Sequence, residues 1–159
     1  MKIESTTING YEYTVQAVSA RVGVRMQARL AQALAPAMAS LPTDGFEVTP
    51  ESIARLIAPV LQDDKLSGTL DYLIDSLQAN TTVKDLSTGN TLPLERVFDV
   101  RFSDDYEALY MWLAFALKVS MSSFFGSVLS HVAQAQAVGR SASKSPSSPE
   151  TTGQSGGSA

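Results

Sequence analysis

The chain has 159 residues, a net charge of −4 and no cysteine, and 44% of its residues are hydrophobic. This length predicts one domain with a tail. The acidic balance argues against a nucleic-acid-binding protein, whose surface is usually basic, and the lack of thiols excludes disulfides and cysteine–zinc sites. The N-terminus has no apolar signal-peptide core, so we expect a protein of the cytoplasm.

Charge is distributed unevenly along the chain. Residues 1–41 carry four bases and two acids, a net +2, whereas residues 42–107 carry thirteen acids and five bases, a net −8. Two solvated faces are the simpler interpretation; the alternative is attraction between opposite ends of successive copies, or between the chain and a partner.

The first predicted element is a β-hairpin over residues 3–18. Asn9-Gly10 is the favoured pair for a type I′ turn, because both positions of that turn take a positive φ. The residues from Tyr11 to Gln16 alternate between apolar and polar, which is the period of a half-buried strand. Two strands alone are only marginally stable, so the hairpin must pack on an apolar surface.

A helix is predicted over residues 20–41, because apolar residues recur there every three or four positions. Pro36 removes one backbone donor and should kink or split this helix near Gln32. A second stripe on the helix consists of arginines four residues apart: Arg21, Arg25 and Arg29. The stripe is either a solvated face or a surface for an acidic partner.

The middle of the chain predicts two further helices and an irregular region. Thr49-Pro50 is a strong helix start, since a capping residue is followed by proline at the first helical position. Asp63-Asp64 can cap the next helix, which should end near Ala79. Short strands are predicted over residues 82–86 and 91–94, and the alternating stretch 98–102 predicts a short strand or a loop held by two phenylalanines.

The most apolar stretch consists of ten consecutive residues, Ala108 to Leu117. Asp104 precedes it, and Glu107 follows Asp104 at the spacing of a capping box. A helix that is apolar on every side is normally buried on every side, and ten residues are too few to cross a bilayer. We therefore predict a core helix, with Gly126 either ending it or lying within a bend.

The C-terminal segment from Arg140 to Ala159 differs in composition from the rest of the chain. Fourteen of its twenty residues are Ser, Thr, Gly or Pro. Such a segment buries too little apolar surface to offset its ordering entropy, which predicts disorder. The expected fold class is mainly α (α+β). Residues 1–139 should form a small helical domain with an N-terminal β-hairpin, and residues 140–159 a disordered C-terminal tail.

The sequence contains no catalytic or cofactor-binding signature such as a phosphate-cradling glycine loop, a dinucleotide fingerprint or HExxH. Asp71 and Asp75 have a spacing that suits a cation or acid–base chemistry, although a solvated helix face is the simpler interpretation. His131 is the only histidine, and we interpret it as structural or solvated. We therefore expect a protein without enzymatic activity, cofactor or metal. The sequence better fits the class of proteins that bind or assemble other proteins.

Three stretches of the chain form a pattern: Ile8–Tyr13 leading into the helix Arg25–Leu41, then Leu94–Phe102, and finally Trp112–Val119 with Ser123–Gly126. Together they resemble the tail assembly chaperones of long-tailed bacteriophages. The resemblance implies a non-enzymatic protein that binds the apolar tape measure protein while the tail tube polymerises around it. It also implies contact with the tail tube protein through a frameshifted longer form, and a homo-oligomer. From the net charge and the length of the apolar run, we expect no nucleic acid and no membrane among the partners.

The resemblance further implies a protein of the host cell cytoplasm that is absent from the mature virion. We expect its client to be an apolar helical segment, bound by the helix at 22–41 and by the exposed part of the helix at 108–130. The candidate contact residues combine arginines with large apolar side chains: Arg21, Arg25, Arg29, Met26, Leu30, Trp112, Phe115, Phe124 and Phe125.

Two other functions fit the same small mixed fold. The alternative is a minor structural component of the phage tail or head–tail connector, which would be present in the virion. A third possibility is a small host regulator or an accessory domain of an enzyme.

Overall fold

The structure, a computed structural model, describes residues 1–38 and 48–142, with their side chains except those of residues 37, 38, 129 and 131–142. The strands are Ile3–Ile8 (β1), Tyr11–Gln16 (β2), Thr81–Asp85 (β3) and Thr91–Pro93 (β4). The helices are Ala20–Met38 (α1), Pro50–Gln62 (α2), Ser67–Gln78 (α3), Leu94–Phe102 (α4) and Tyr106–Ala142 (α5), with a 3₁₀ turn at Asp64–Leu66. The predicted mainly helical α+β class is confirmed.

The N-terminal hairpin forms as predicted. Asn9 and Gly10 have φ values of 47° and 83° and make a two-residue turn that places Ile8 opposite Tyr11. Strand β3 pairs with β2, and β4 pairs with β3, which gives an antiparallel sheet in the order β1-β2-β3-β4. The two later strands are thus confirmed, with their ends shifted by one residue. They supply the additional strands that an isolated hairpin lacks.

The prediction of a strand or loop over residues 98–102 was wrong, because this stretch is the second half of helix α4. Leu94, Phe98 and Phe102 lie four residues apart and form the packed face of that helix. Val100, which completed the apparent alternation, is 85% exposed on the opposite side. Five residues are too few to distinguish the two-residue period of a strand from the 3.6-residue period of a helix. Tertiary packing favoured the helix.

Helices α1 and α2 largely follow the sequence signals. Helix α1 continues through Pro36 to Met38, so it does not split near Gln32, and its predicted last residues lie outside the described part. Helix α2 begins as predicted: the Ser52 N–H donates to Thr49 Oγ1 at 3.2 Å, and the Thr49 N–H donates to Ser52 Oγ at 2.9 Å. Pro50 occupies the first helical turn, where its missing donor has no consequence.

Helix α5 starts one residue later than predicted. Asp105, not Asp104, is the capping residue, since its Oδ1 accepts a hydrogen bond of 3.0 Å from the Ala108 N–H. The helix also continues through Gly126, where an end or a bend was predicted. The bend lies five residues earlier, at Met121, whose non-helical φ of −136° and ψ of 25° kink the helix. The helix extends to Ala142, and the remainder of the predicted tail, residues 143–159, lies outside the described residues.

The core forms around α5, as predicted. Trp112 is completely buried, with its ring 5.7 Å from that of Phe98 and 5.8 Å from that of Phe102, measured between centroids. The stretch Tyr106–Val128 is long and apolar enough to cross a membrane by length and composition, but 56% of its most apolar window is buried inside the protein. The surrounding sheet and helices therefore provide the apolar environment that this helix needs.

Candidate functional site

Most of the large apolar residues predicted to contact a partner lie inside the protein. Met26, Leu30, Trp112 and Phe125 have no exposed surface, so they stabilise the fold and are not accessible to another chain. Phe115 is nearly buried, and Phe124 is partly exposed and packs against the Phe125 ring. The periodicity that located these residues indicates burial, but it does not distinguish burial by the protein itself from burial by a partner.

The predicted arginine stripe is exposed on α1. The Arg29 guanidinium lies 4.2 Å from the centre of the Tyr72 ring in α3, so it is held within the chain by a cation–π contact. Arg21 and Arg25 form no ion pair with any described residue. The structure thus separates the stripe into one arginine that packs on its own fold and two that remain available.

A groove lies between strand β1 and helix α2, and α5 forms its floor. Both β1 and α2 pack on α5 and they lie side by side, which leaves a strip of α5 uncovered between them. The groove has a volume of about 410 Å³. Its lining comes from three elements: Thr6, Thr7 and Ile8 of β1; Pro50, Glu51 and Ala54 of α2; Glu107, Tyr110, Met111, Ala114 and Phe115 of α5.

The floor of this groove contains the exposed part of the apolar core helix. Tyr110 is 44% exposed and Met111 is 48% exposed, although both belong to the apolar run that is otherwise buried. A second cavity of about 290 Å³ adjoins the groove, since Ala54 and Tyr110 line both, and it continues along α2 to Leu61. A continuous apolar surface of this kind is typical of a protein-binding site.

Two carboxylates border the apolar groove. Glu51 in the first turn of α2 and Glu107 in the first turn of α5 are both exposed and both line the groove. Negative charges near a helix N-terminus interact favourably with the helix dipole, so both side chains stabilise the protein itself. The same charges make the border of the groove attractive to a basic residue of a partner.

A separate cluster surrounds Arg101 of α4. Its guanidinium stacks 4.0 Å from the centre of the Tyr11 ring, and its Nη1 lies 3.7 Å from Asp105 Oδ2. Burial raises the pKa of Tyr13 to about 12, against the opposing effect of the Arg101 charge. This cluster borders a cavity of about 360 Å³. Arg101 Nε and Nη2 are buried without a hydrogen-bond partner among the described residues, but the guanidinium is covered by the Tyr11 ring and paired with Asp105. We therefore interpret it as the contact that fixes α4 on the sheet.

The described residues contain no arrangement that suggests catalysis. No group of three or more His, Asp or Glu side chains that could hold a metal occurs among them. Asp71 and Asp75 are exposed on α3, and Asp75 accepts a hydrogen bond of 3.2 Å from Gln78. The side chain of His131 lies outside the described part. The groove offers an apolar surface bordered by two carboxylates, and it is therefore the candidate site for binding another protein.

Comparison with known proteins assigns the family. A family model described as a phage tail assembly chaperone protein matches residues 9–133, from the turn of the hairpin into the last part of α5. No curated protein and no solved structure gives a match. The family match covers well over half of the chain and confirms the resemblance found on the hairpin, α4 and α5. This chain belongs to the phage tail assembly chaperone family.

Proposed function

We propose that this protein binds the tape measure protein without catalysis and promotes assembly of the tail tube around it. The family membership supports a role in tail assembly. The observation that carries the specific proposal is the groove between β1 and α2, where Tyr110 and Met111 of the core helix are exposed. A client with a long apolar surface needs such a complementary surface in order to remain soluble before the tube forms.

The composition of the groove fits an apolar client of variable sequence. Methionine is flexible and polarizable, so Met111 can adapt to different side chains. Tyr110 adds a large contact area and can donate a hydrogen bond from its hydroxyl group at the border of the groove. Glu51 and Glu107 add a preference for basic residues beside the apolar contact, which contributes to orientation and association rate more than to affinity.

The proposal also states where the protein acts and which other proteins it binds. The chaperone acts in the host cell cytoplasm, associates with further copies of itself and leaves before the virion is complete. A frameshifted longer form recruits the tail tube protein. Mass spectrometry of infected cells and of purified virions tests these points, because it would find peptides of both forms in the cell and neither form in the particle. A stoichiometric amount in the virion would favour the alternative, a structural component of the tail.

Co-expression with the tape measure protein tests the groove directly. Replacing Met111 by Glu introduces a charge into the groove at a position that is 48% exposed, so we expect the fold to tolerate it. We expect the soluble yield of the client to fall and the affinity for a client fragment to decrease about tenfold or more. Val100→Glu is the matched control, since it introduces the same charge at an exposed helical position outside the groove.

A second pair of variants separates the contact from a general effect on α5. Tyr110→Ala removes a side chain that lines the groove, whereas Tyr106→Ala removes the same side chain one turn earlier, where it does not line the groove. We expect only Tyr110→Ala to weaken client binding. If neither pair of variants differs in binding, the groove is not the client site. If the wild-type protein neither binds nor protects the client, the chaperone function itself is excluded.

A further inference from the structure

Strand β1 is an open edge of the sheet, and its hydrogen-bonding groups can be assigned from the register. Ile8 and Tyr11 flank the two-residue turn and form a hydrogen-bonded pair, so the same pairing recurs at Thr6 and Glu4 along β1. The N–H and C=O groups of Ile3, Ser5 and Thr7 therefore point away from β2. Within the described part of the chain, these groups have no hydrogen-bond partner.

The two edges of the sheet differ in how they are protected against pairing with another chain. Strand β4 has only three residues, and one of them is Pro93. Short length and proline are two devices by which proteins prevent strand addition. Strand β1 has six residues in an uninterrupted register, with neither a proline nor a bulge. The edge that remains able to accept a strand is thus β1.

This open edge borders the groove. Thr6, Thr7 and Ile8 form one wall, Pro50, Glu51 and Ala54 of α2 form the other, and Met111 and Phe115 lie on the floor. A strand paired with β1 would lie about 4.8 Å from it, over α5 and toward α2. Its side chains would alternate between the apolar floor and solvent.

We propose that the groove binds an extended segment of the client, which adds to β1 as a fifth strand. This inference rests on the proposed function and specifies the conformation and the chemistry of the bound segment. The segment carries apolar side chains at alternate positions, directed toward Met111 and Phe115. It also carries a lysine or arginine near Glu51 and Glu107. The backbone N–H and C=O groups of Ser5 and Thr7 pair with the backbone of this extended segment. A helical client could not make these hydrogen bonds, because its own backbone groups are already paired within the helix.

Replacing Ser5 by proline tests the strand addition. Because the Ser5 N–H points away from β2, the proline removes only an edge donor and leaves the ladder between β1 and β2 complete. The matched control is Ser5→Ala. Both variants lose the 2.8 Å hydrogen bond between the Ser5 and Thr14 hydroxyl groups, but only the proline variant lacks the N–H. Circular dichroism and thermal melting establish that both variants are folded.

The measurement is binding of tape measure protein fragments by titration calorimetry, combined with amide hydrogen exchange. We expect Ser5→Pro to weaken binding about tenfold or more, and Ser5→Ala to change it by less than about threefold. In the wild-type complex, the amides of Ser5 and Thr7 should become protected from exchange. A helical peptide bound equally well by both variants, without protection of these amides, would overturn the inference and leave the proposed function intact.

Two other outcomes are distinguishable from these. If the wild-type protein binds no fragment of the tape measure protein, the proposed function fails and the strand addition fails with it. If the amides of Ser5 and Thr7 are already protected in the free protein, and Ser5→Pro converts a dimer into a monomer in sedimentation experiments, the occupant of the edge is a second copy. That result would also overturn the inference.

Discussion

Asn9 and Asp105, 96 residues apart in sequence, are joined by a hydrogen bond of 2.9 Å from the Asn9 side-chain amide to Asp105 Oδ2. Asn9 belongs to the turn between β1 and β2, and Asp105 caps α5. Because Asp105 also lies 3.7 Å from Arg101 Nη1, one carboxylate connects the hairpin, the end of α4 and the start of the core helix. This contact contributes to the position of β1 beside the groove.

The stability contributed by Asp105 should depend on pH in the acid range. The hydrogen bond from Asn9, followed by that from the Ala108 N–H, holds the pKa of Asp105 below its usual value of 3.8. A carboxylate whose pKa is lowered by folding stabilises the protein above the unfolded pKa, and this contribution is lost as the pH falls through the folded pKa. We therefore expect Asp105→Ala to lower the melting temperature at pH 7 and to have a smaller effect below about pH 3.8.

Thermal melting of both proteins from pH 7 to pH 3 measures this difference. Asp104→Ala is the control, because the neighbouring aspartate makes none of these contacts with the described residues. If the difference in melting temperature between Asp105→Ala and the wild type does not depend on pH, the charge of the carboxylate does not contribute to stability.

Trp112 should be the most sensitive core position. Its ring packs against Phe98 and Phe102, and Trp112→Ala would leave a large cavity that costs about 3–5 kcal/mol of unfolding free energy. Its Nε1 is buried without a hydrogen-bond partner among the described residues. Trp112→Phe, which keeps an aromatic ring and removes this unpaired donor, should cost much less. Denaturant titration compares the two variants, and equal costs would contradict the importance of ring packing.

Two glycines should respond to alanine with opposite signs. Gly10 has a φ of 83°, where a Cβ is strained, so Gly10→Ala should cost about 1–2 kcal/mol. Gly126 lies within α5, and a Cβ added there meets no atom within 4 Å. Gly126→Ala should therefore stabilise the protein by about 0.5–1 kcal/mol. Denaturant titration gives both values, and a loss of stability at Gly126 would indicate that a glycine is required in this part of the helix.

The exposed arginines of α1 provide a test of the partner surface predicted from the sequence. Arg25→Glu should slow association with the client several-fold at low salt and have little effect at high salt, if client acids face this helix. Arg96→Glu on α4 is the matched control, since it makes the same charge change at an exposed helical site. Stopped-flow kinetics at two salt concentrations measure both rates. Equal rates for the two variants would assign the stripe to a solvated face.

Much of the fold was predictable because its signals are local. The Asn9-Gly10 pair requires a tight turn, Thr49-Pro50 starts α2 by hydrogen bonds within one turn, and the run from Ala108 to Leu117 identifies the core helix. Each signal depends on residues within a few positions of one another. The three stretches that resemble tail assembly chaperones likewise indicated the family that the comparison assigns.

The candidate site was not predictable in the same way. The apolar pattern included Trp112 and Met111 alike, and only the packing of β1 and α2 on α5 decided that Trp112 is buried and Met111 exposed. The choice between a strand and a helix at Phe98, and between Asp104 and Asp105 as the cap, also depended on contacts between distant segments.

The sequence by itself therefore determined which segments are helices, turns and strands wherever neighbouring residues supply the hydrogen bonds and the apolar period. The tertiary structure alone decided which edge of the sheet is open and which strip of α5 is uncovered, because both depend on how segments far apart in the chain pack together.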